Sequence, residues 1–291
     1  MEEHDFPLQP AYEFLRSKRL ANDASAIREA KFGSNDKIMK RASLVAVLAE
    51  NDLLESFLAR NWPKATVPEG RPEIEWLKKV HERYQKSRAL TCEQIEGAIR
   101  RHDSDPRLTG DEAAFRKALE AARKLPPLLG RFVAEVWVVA DWGSIEFFPF
   151  TDRFAMAEEI ERVQSLLSPI RSLDGWDAET KGLLRVVDEL ARSTALLPRD
   201  GDGRSQLSFL SKYLHFCVSD AFAIWDSNAR LVLGGDDAAT WESYKKWIVQ
   251  VRAEVAKHRE CLERLKTPVE SLVRTLDKAL YTIGREIVSE K

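Results

Sequence analysis

LLPRDGDGRSQLSFLSKYLHFCVSDAFAIWDSNARLVLGG, residues 196–235, is the stretch on which the reading of this chain turns. A helix ends at Leu196-Leu197, a turn holds Gly201 and Gly203, and a second helix begins at about Arg204-Ser205. Two helices joined by a tight glycine turn present backbone N–H groups at the start of the second one, a ready cradle for a phosphate. Gly201, Gly203, Arg204 and Ser205 are therefore candidate phosphate contacts. Leu207, Phe209, Leu210, Tyr213, Leu214, Phe216 and Cys217 make the second helix apolar nearly all round, which predicts burial. Ser208, Lys212 and His215 nevertheless share one face, with Ser211 beside them.

A lysine in such a helix is expensive unless it is paired or lines a cleft. Two readings stand side by side: Lys212 lines a site, or its stem is buried while the ammonium reaches water and His215 is a satisfied core histidine. Downstream, the apolar run Phe222-Ala223-Ile224-Trp225 leads straight into Asp226-Ser227-Asn228 and a new helix. Asp226 occupies the N-cap, a position aspartate fills on structural grounds alone. A carboxylate there, kept ionised by the helix dipole, is also suited to stabilising positive charge that develops on a substrate.

Outward from this segment the chain reads as all-α. Apolar residues recur at three- and four-residue spacing and predict helices over 11–31, 36–60, 73–86, 91–102, 110–124, 153–168, 177–196, 205–217, from about 227, over 238–265 and from Pro268 to about 287. FVAEVWVVADWGSIEFFPF, residues 132–150, is the exception. It fits either a short β hairpin or a buried helix followed by a loop. Weak boundaries at 63–72 and 140–152 suggest a helical part over 1–150 and a second over 151–291, together one compact unit.

Composition narrows the function classes. The 291 residues carry 45 Lys plus Arg against 47 Asp plus Glu, a net charge of -2, so a nucleic-acid site would have to be a local patch. No run approaches the roughly 20 apolar residues that span a bilayer, and the acidic start MEEHDFPLQP lacks the apolar core of a signal peptide. Three widely spaced cysteines, Cys92, Cys217 and Cys261, fit neither a disulfide framework nor a metal pattern. These features predict a cytoplasmic protein. The five histidines show no metal-ligand spacing, and there is no P-loop, dinucleotide turn or nucleophile elbow, so no cofactor is expected.

Leu197-Pro198, Gly203-Arg204-Ser205, then Phe222-Ala223-Ile224-Trp225-Asp226 and Asn228 fall in the order of features of the helix-hairpin-helix DNA glycosylases, which the chain resembles. The wording Ser211-Lys212-x-Leu214-His215-Phe216 and the C-terminal Leu276-Asp277-Lys278-Ala279-Leu280 look nearest to a divergent bacterial group related to the 8-oxoguanine branch. Residues 199–202 read as an insertion in the family's tight hairpin. The resemblance implies cleavage of the N-glycosidic bond of a flipped damaged or modified base, in repair or in defence against modified phage DNA. It implies Asp226 and Lys212 as catalytic residues, with His215, Ser211, Trp225, Asn228 and Trp142 around the base. The same residues also fit a non-catalytic DNA- or protein-binding module with a decayed glycosylase fold, in which Asp226 only caps a helix.

Overall fold

The computed structural model describes residues 5–32, 35–63, 71–126, 128–142, 150–171, 179–192, 206–234, 240–268 and 270–289. Every regular element among them is helical, so the all-α expectation holds. The chain divides into two units: residues 1–90 with 231–237 and 283–291, and residues 91–230 with 238–282. Residue 150 lies inside the second unit.

The first unit contains α1 (Leu8–Ser17), α2 (Ala21–Glu29), α3 (Asp36–Glu50), α4 (Leu54–Asn61) and α5 (Arg71–Ser87). Two helices expected to run unbroken are each divided. Arg19 and Asp52 adopt left-handed backbone, with φ of 66° and 56°. The chain then turns back so that Leu20 N–H donates to the Leu15 carbonyl at 3.0 Å and Leu53 N–H to the Leu48 carbonyl at 2.8 Å. Each is the closing bond of a Schellman helix end, made without the usual glycine. Phe6, Phe14, Phe57 and Trp62 form the aromatic core, with Phe57 5.4 Å from both Phe6 and Phe14. Trp76 and Arg83 of α5 tie down the C-terminus by donating to the carbonyls of Ser289 and Glu286, each at 3.0 Å.

The second unit begins with α6 (Cys92–Ser104), opened by a reciprocal capping box between Thr91 and Gln94. α7 (Pro106–Arg123) starts with Asp105 as cap and proline in its first turn. α8 (Leu129–Trp142) replaces the hairpin alternative: residues 132–142 are helical, burying Phe132, Val136 and Val139 on one side, and 143–149 lie outside the described residues. α9 (Phe150–Arg162), α10 (Gln164–Arg171) and α11 (Thr180–Leu190) follow. α12 (Gln206–Tyr213) runs into a π-helical turn, Leu214–Val218, and α13 covers Ser227–Leu233. The long charged helix expected over 238–265 is broken at His258 into α14 (Trp241–Lys257) and α15 (Arg259–Leu265). α16 (Leu272–Ile287) does not begin at Pro268, which sits in a turn; Ser271 opens it, its hydroxyl accepting from Arg274 N–H at 3.1 Å.

Cys92 and Cys261 are disulfide-bonded across 169 residues, which corrects the expectation of unpaired thiols. Cys217 is free and buried. No helix among the described residues is long and apolar enough to cross a membrane.

Candidate active site

The segment carrying Asp226 is built from backbone that no helix satisfies. After α12, the π turn closes with Ser219 N–H donating to the Leu214 carbonyl at 2.9 Å, and residues 219–222 turn back. Residues 222–225 then run as a buried strap without regular secondary structure. Buried carbonyls and N–H groups require partners, and here side chains supply them in succession. The His215 ring donates from Nδ1 to the Phe222 carbonyl at 2.7 Å. The Tyr244 hydroxyl donates to the Ala223 carbonyl at 2.9 Å, and Trp247 Nε1 to the Ile224 carbonyl at 2.8 Å. Trp225 N–H donates to the Ser211 hydroxyl at 2.9 Å. Four side chains from α12, the π turn and α14 thus fix the path that ends at Asp226.

Asp226 itself caps α13. Its Oδ1 accepts from Asn228 N–H at 2.8 Å and Ala229 N–H at 3.2 Å. The side chain is half-buried and faces a cavity of about 380 Å³. Lys212 lines the same cavity from α12, and Trp142 from the end of α8. Lys212 Nζ lies 5.9 Å from the centroid of the Trp142 ring, which stacks on Phe115 at 4.7 Å. Burial pushes the Lys212 amine below its ordinary value, with the charges of Asp226 and Asp277 opposing that shift.

The remaining wall comes from residues not singled out in the sequence. Arg274, Asp277, Lys278 and Tyr281 present one face of α16, at the spacing of successive helical turns. Arg274 is buried and binds Glu112 of α7 at 2.7 Å and also Asp277. Burial works to raise the Glu112 carboxyl, but the guanidinium groups of Arg274 and Arg116 outweigh it and hold it at about 2. Lys278 pairs with Glu270 and, at 3.2 Å, with Asp103. His102 of α6 faces the cavity, its titration lowered by burial and by the nearby cations. The signal that could have found this wall is Arg274, Asp277, Lys278 and Tyr281 recurring at helical spacing on one face of α16.

Lys212, Asp226 and Trp142 therefore share one cavity, and the other expected base contacts take other positions. His215 is buried, and its Nδ1 is committed to the Phe222 carbonyl. Burial and the charge of Arg274 lower its titration to about 3, so it is neutral near pH 7. Ser211 is wholly buried and committed to the strap. Trp225 is buried, with the Arg230 guanidinium 4.2 Å from its ring centroid and Tyr244 and Trp247 at its edges. His215, Ser211 and Trp225 are thus buried along the strap that ends at Asp226. Asn228 serves through its backbone N–H. Gly201, Gly203, Arg204 and Ser205 lie outside the described residues. Among the described residues no group of three or more His, Cys, Asp or Glu is placed to hold a metal ion.

Comparison of the chain with protein-family models, curated proteins and solved structures found no match.

Proposed function

We propose that this chain is a DNA N-glycosylase acting on a damaged or modified base, in repair or in defence against modified foreign DNA in the cytoplasm. The supporting observation is that Lys212 and Asp226, brought by different elements, line one cavity of about 380 Å³, within the usual range for small-molecule sites. A base inside a duplex is out of reach, so the target would be flipped into this cavity, with the Trp142 face beside it.

The chemistry follows from the two side chains. Burial favours the neutral amine of Lys212, the form that can attack carbon. As the bond from C1′ to the base breaks and its electron pair leaves with the base, Nζ bonds to C1′ and passes a proton to Asp226. The carboxylate lies where positive charge develops on the sugar, and its hydrogen bonds to Asn228 and Ala229 N–H fix its direction. The ring then opens as the C1′–O4′ pair goes to O4′, which takes a proton, leaving a protonated Schiff base for water to hydrolyse.

The test is a panel of single- and double-stranded DNAs carrying modified bases, including hypermodified cytosine, followed by alkali to reveal abasic sites and by borohydride to trap the Schiff base. The wild-type chain is expected to give abasic sites on one member and a borohydride adduct. Asp226→Asn should abolish release while changing stability by less than about 0.5 kcal/mol, since asparagine caps as well as aspartate. Lys212→Gln should remove the adduct. Failure of folded wild-type protein to release a base from any DNA would overturn the proposal in favour of a binding module in which Asp226 is only a cap.

A further inference from the structure

Besides Asp226, three carboxylates line the cavity: Asp111 and Glu112 from α7 and Asp277 from α16. Asp277 is buried on the face of α16 that lines the same cavity as Asp226. A buried carboxylate costs several kcal/mol unless compensated. An apolar side chain at this position would extend the surface of Leu276, Ala279 and Leu280. Instead a network is built around it: Arg274 grips Asp277 and is itself anchored at 2.7 Å by Glu112, which Arg116 braces from the next turn of α7 at 2.7 Å. The network holds the Asp277 carboxyl at the cavity wall.

Resting on the glycosylase reading, we propose that Asp277 is the general acid of this site, delivering a proton to the departing base while Asp226 answers the charge on the sugar. As the C1′–N bond breaks, its electron pair goes to the base nitrogen. The Asp277 O–H proton passes to a basic ring nitrogen or keto oxygen of the base, and Asp277, left as carboxylate, recovers a proton from solvent. The assignment names a substrate class: bases that are uncharged before cleavage and poor leaving groups as anions. Cationic N-alkylated bases depart neutral and do not need the proton.

The surroundings fit the role. Burial raises the Asp277 carboxyl, Arg274 lowers it, and Asp226 and Glu112 raise it again, leaving it at about 6. From α12 the Lys212 amine faces the same space, from α7 Asp111, and from α6 His102. Lys278 lies beside Asp277 on α16 and is engaged by Glu270 and Asp103. Asp226 and Asp277 thus face one cavity in different surroundings, the first tied to backbone N–H groups and the second to Arg274.

The experiment is a single-turnover pH profile, from pH 5 to 8.5, on the DNA from which the wild-type chain releases a base. The wild-type rate is expected to fall above an inflection near pH 6. Asp277→Asn should lose about 10²–10⁴-fold at pH 6, the usual contribution of a general acid, and should show no inflection there. Asp277→Glu should recover part of the rate with the inflection moved. Wild-type rate in Asp277→Asn, or a slow variant that keeps the inflection, would overturn the assignment while leaving the glycosylase reading intact. If Asp277→Asn does not fold, the wild-type profile decides, because a rate that stays level from pH 6 to 8 overturns the assignment. Absence of release from every DNA overturns both.

Discussion

His215 shows how burial converts a titratable residue into a stability switch. Its ring is enclosed, donates to the Phe222 carbonyl, and sits near the Arg274 charge, so protonation in the folded chain is deferred to about pH 3. In the unfolded chain the same ring protonates near pH 6.5. Between those values the unfolded state binds the extra proton, so stability is full above about pH 6.5 and declines as pH falls, by up to about 1.4 kcal/mol per pH unit. Urea unfolding at pH 7 and pH 5 should show this decline in the wild-type chain, and His215→Gln should flatten it; equal slopes in the two proteins would refute the account. Arg274 carries a dependence of the same sign through its acidic partners. It neutralises two buried carboxylates, Glu112 and Asp277, and Arg274→Met leaves both facing a low-dielectric wall. The expected loss is about 3–5 kcal/mol at pH 7, measured by urea unfolding. The loss should shrink at low pH, where the stranded acids protonate.

The strap from Phe222 to Trp225 is an element held by side chains. Removing one donor from a buried carbonyl costs roughly 1–3 kcal/mol. Tyr244→Phe, which keeps the ring and deletes the hydroxyl, should therefore lower unfolding free energy by about that amount and, under the proposed glycosylase function, slow base release, because the Ala223 carbonyl no longer has its anchor. Calorimetry of the variant that returned the wild-type melting temperature would show that the strap is held by packing alone. This element also marks what could be read in advance. Asp226 was legible because a short apolar run ending in an N-cap is a local pattern. The helices α5 and α6 were legible because their periodicity lies within a few residues, whereas α7, expected from 110, begins four residues earlier at Pro106 under the Asp105 cap. The helix breaks at Arg19 and Asp52 were not, since the left-handed residue there is arginine or aspartate rather than glycine. The α8 region carried β-branched and aromatic residues suited equally to strand or buried helix, and only tertiary packing decides between them. The partners of His215 and Ser211 were not legible because a polar group on an apolar helix shows the need for a partner without naming one. The partners in question, backbone atoms of residues 222–225, become neighbours only when the chain folds back.

At the scale of the whole molecule the Cys92–Cys261 bond is a covalent cross-link, and spacing could not reveal it, because two cysteines 169 residues apart meet only through the fold. It joins the first residue of α6 to α15 inside the second unit. α6 ends at His102 and Asp103, the first of which faces the cavity while the second holds Lys278. A cross-link closing so long a loop restricts the unfolded chain severely: the chain-entropy relation gives about 5 kcal/mol, and measured native bonds usually give about 2–5 kcal/mol. In a reducing compartment such bonds are rare, so the chain has two stabilities according to its redox surroundings. Urea unfolding without reductant should therefore give an unfolding free energy about 2–5 kcal/mol above that in its presence. Cys261→Ala should match the reduced wild-type chain and no longer respond to reductant. Under the proposed glycosylase function, base release measured well below the unfolding midpoint should be nearly the same in both states, because Asp277 on α16 and the Asp226 strap are held by their own hydrogen bonds and ion pairs. A reductant-dependent loss of release in folded protein would instead show that the bond also sets the position of α6 at the cavity.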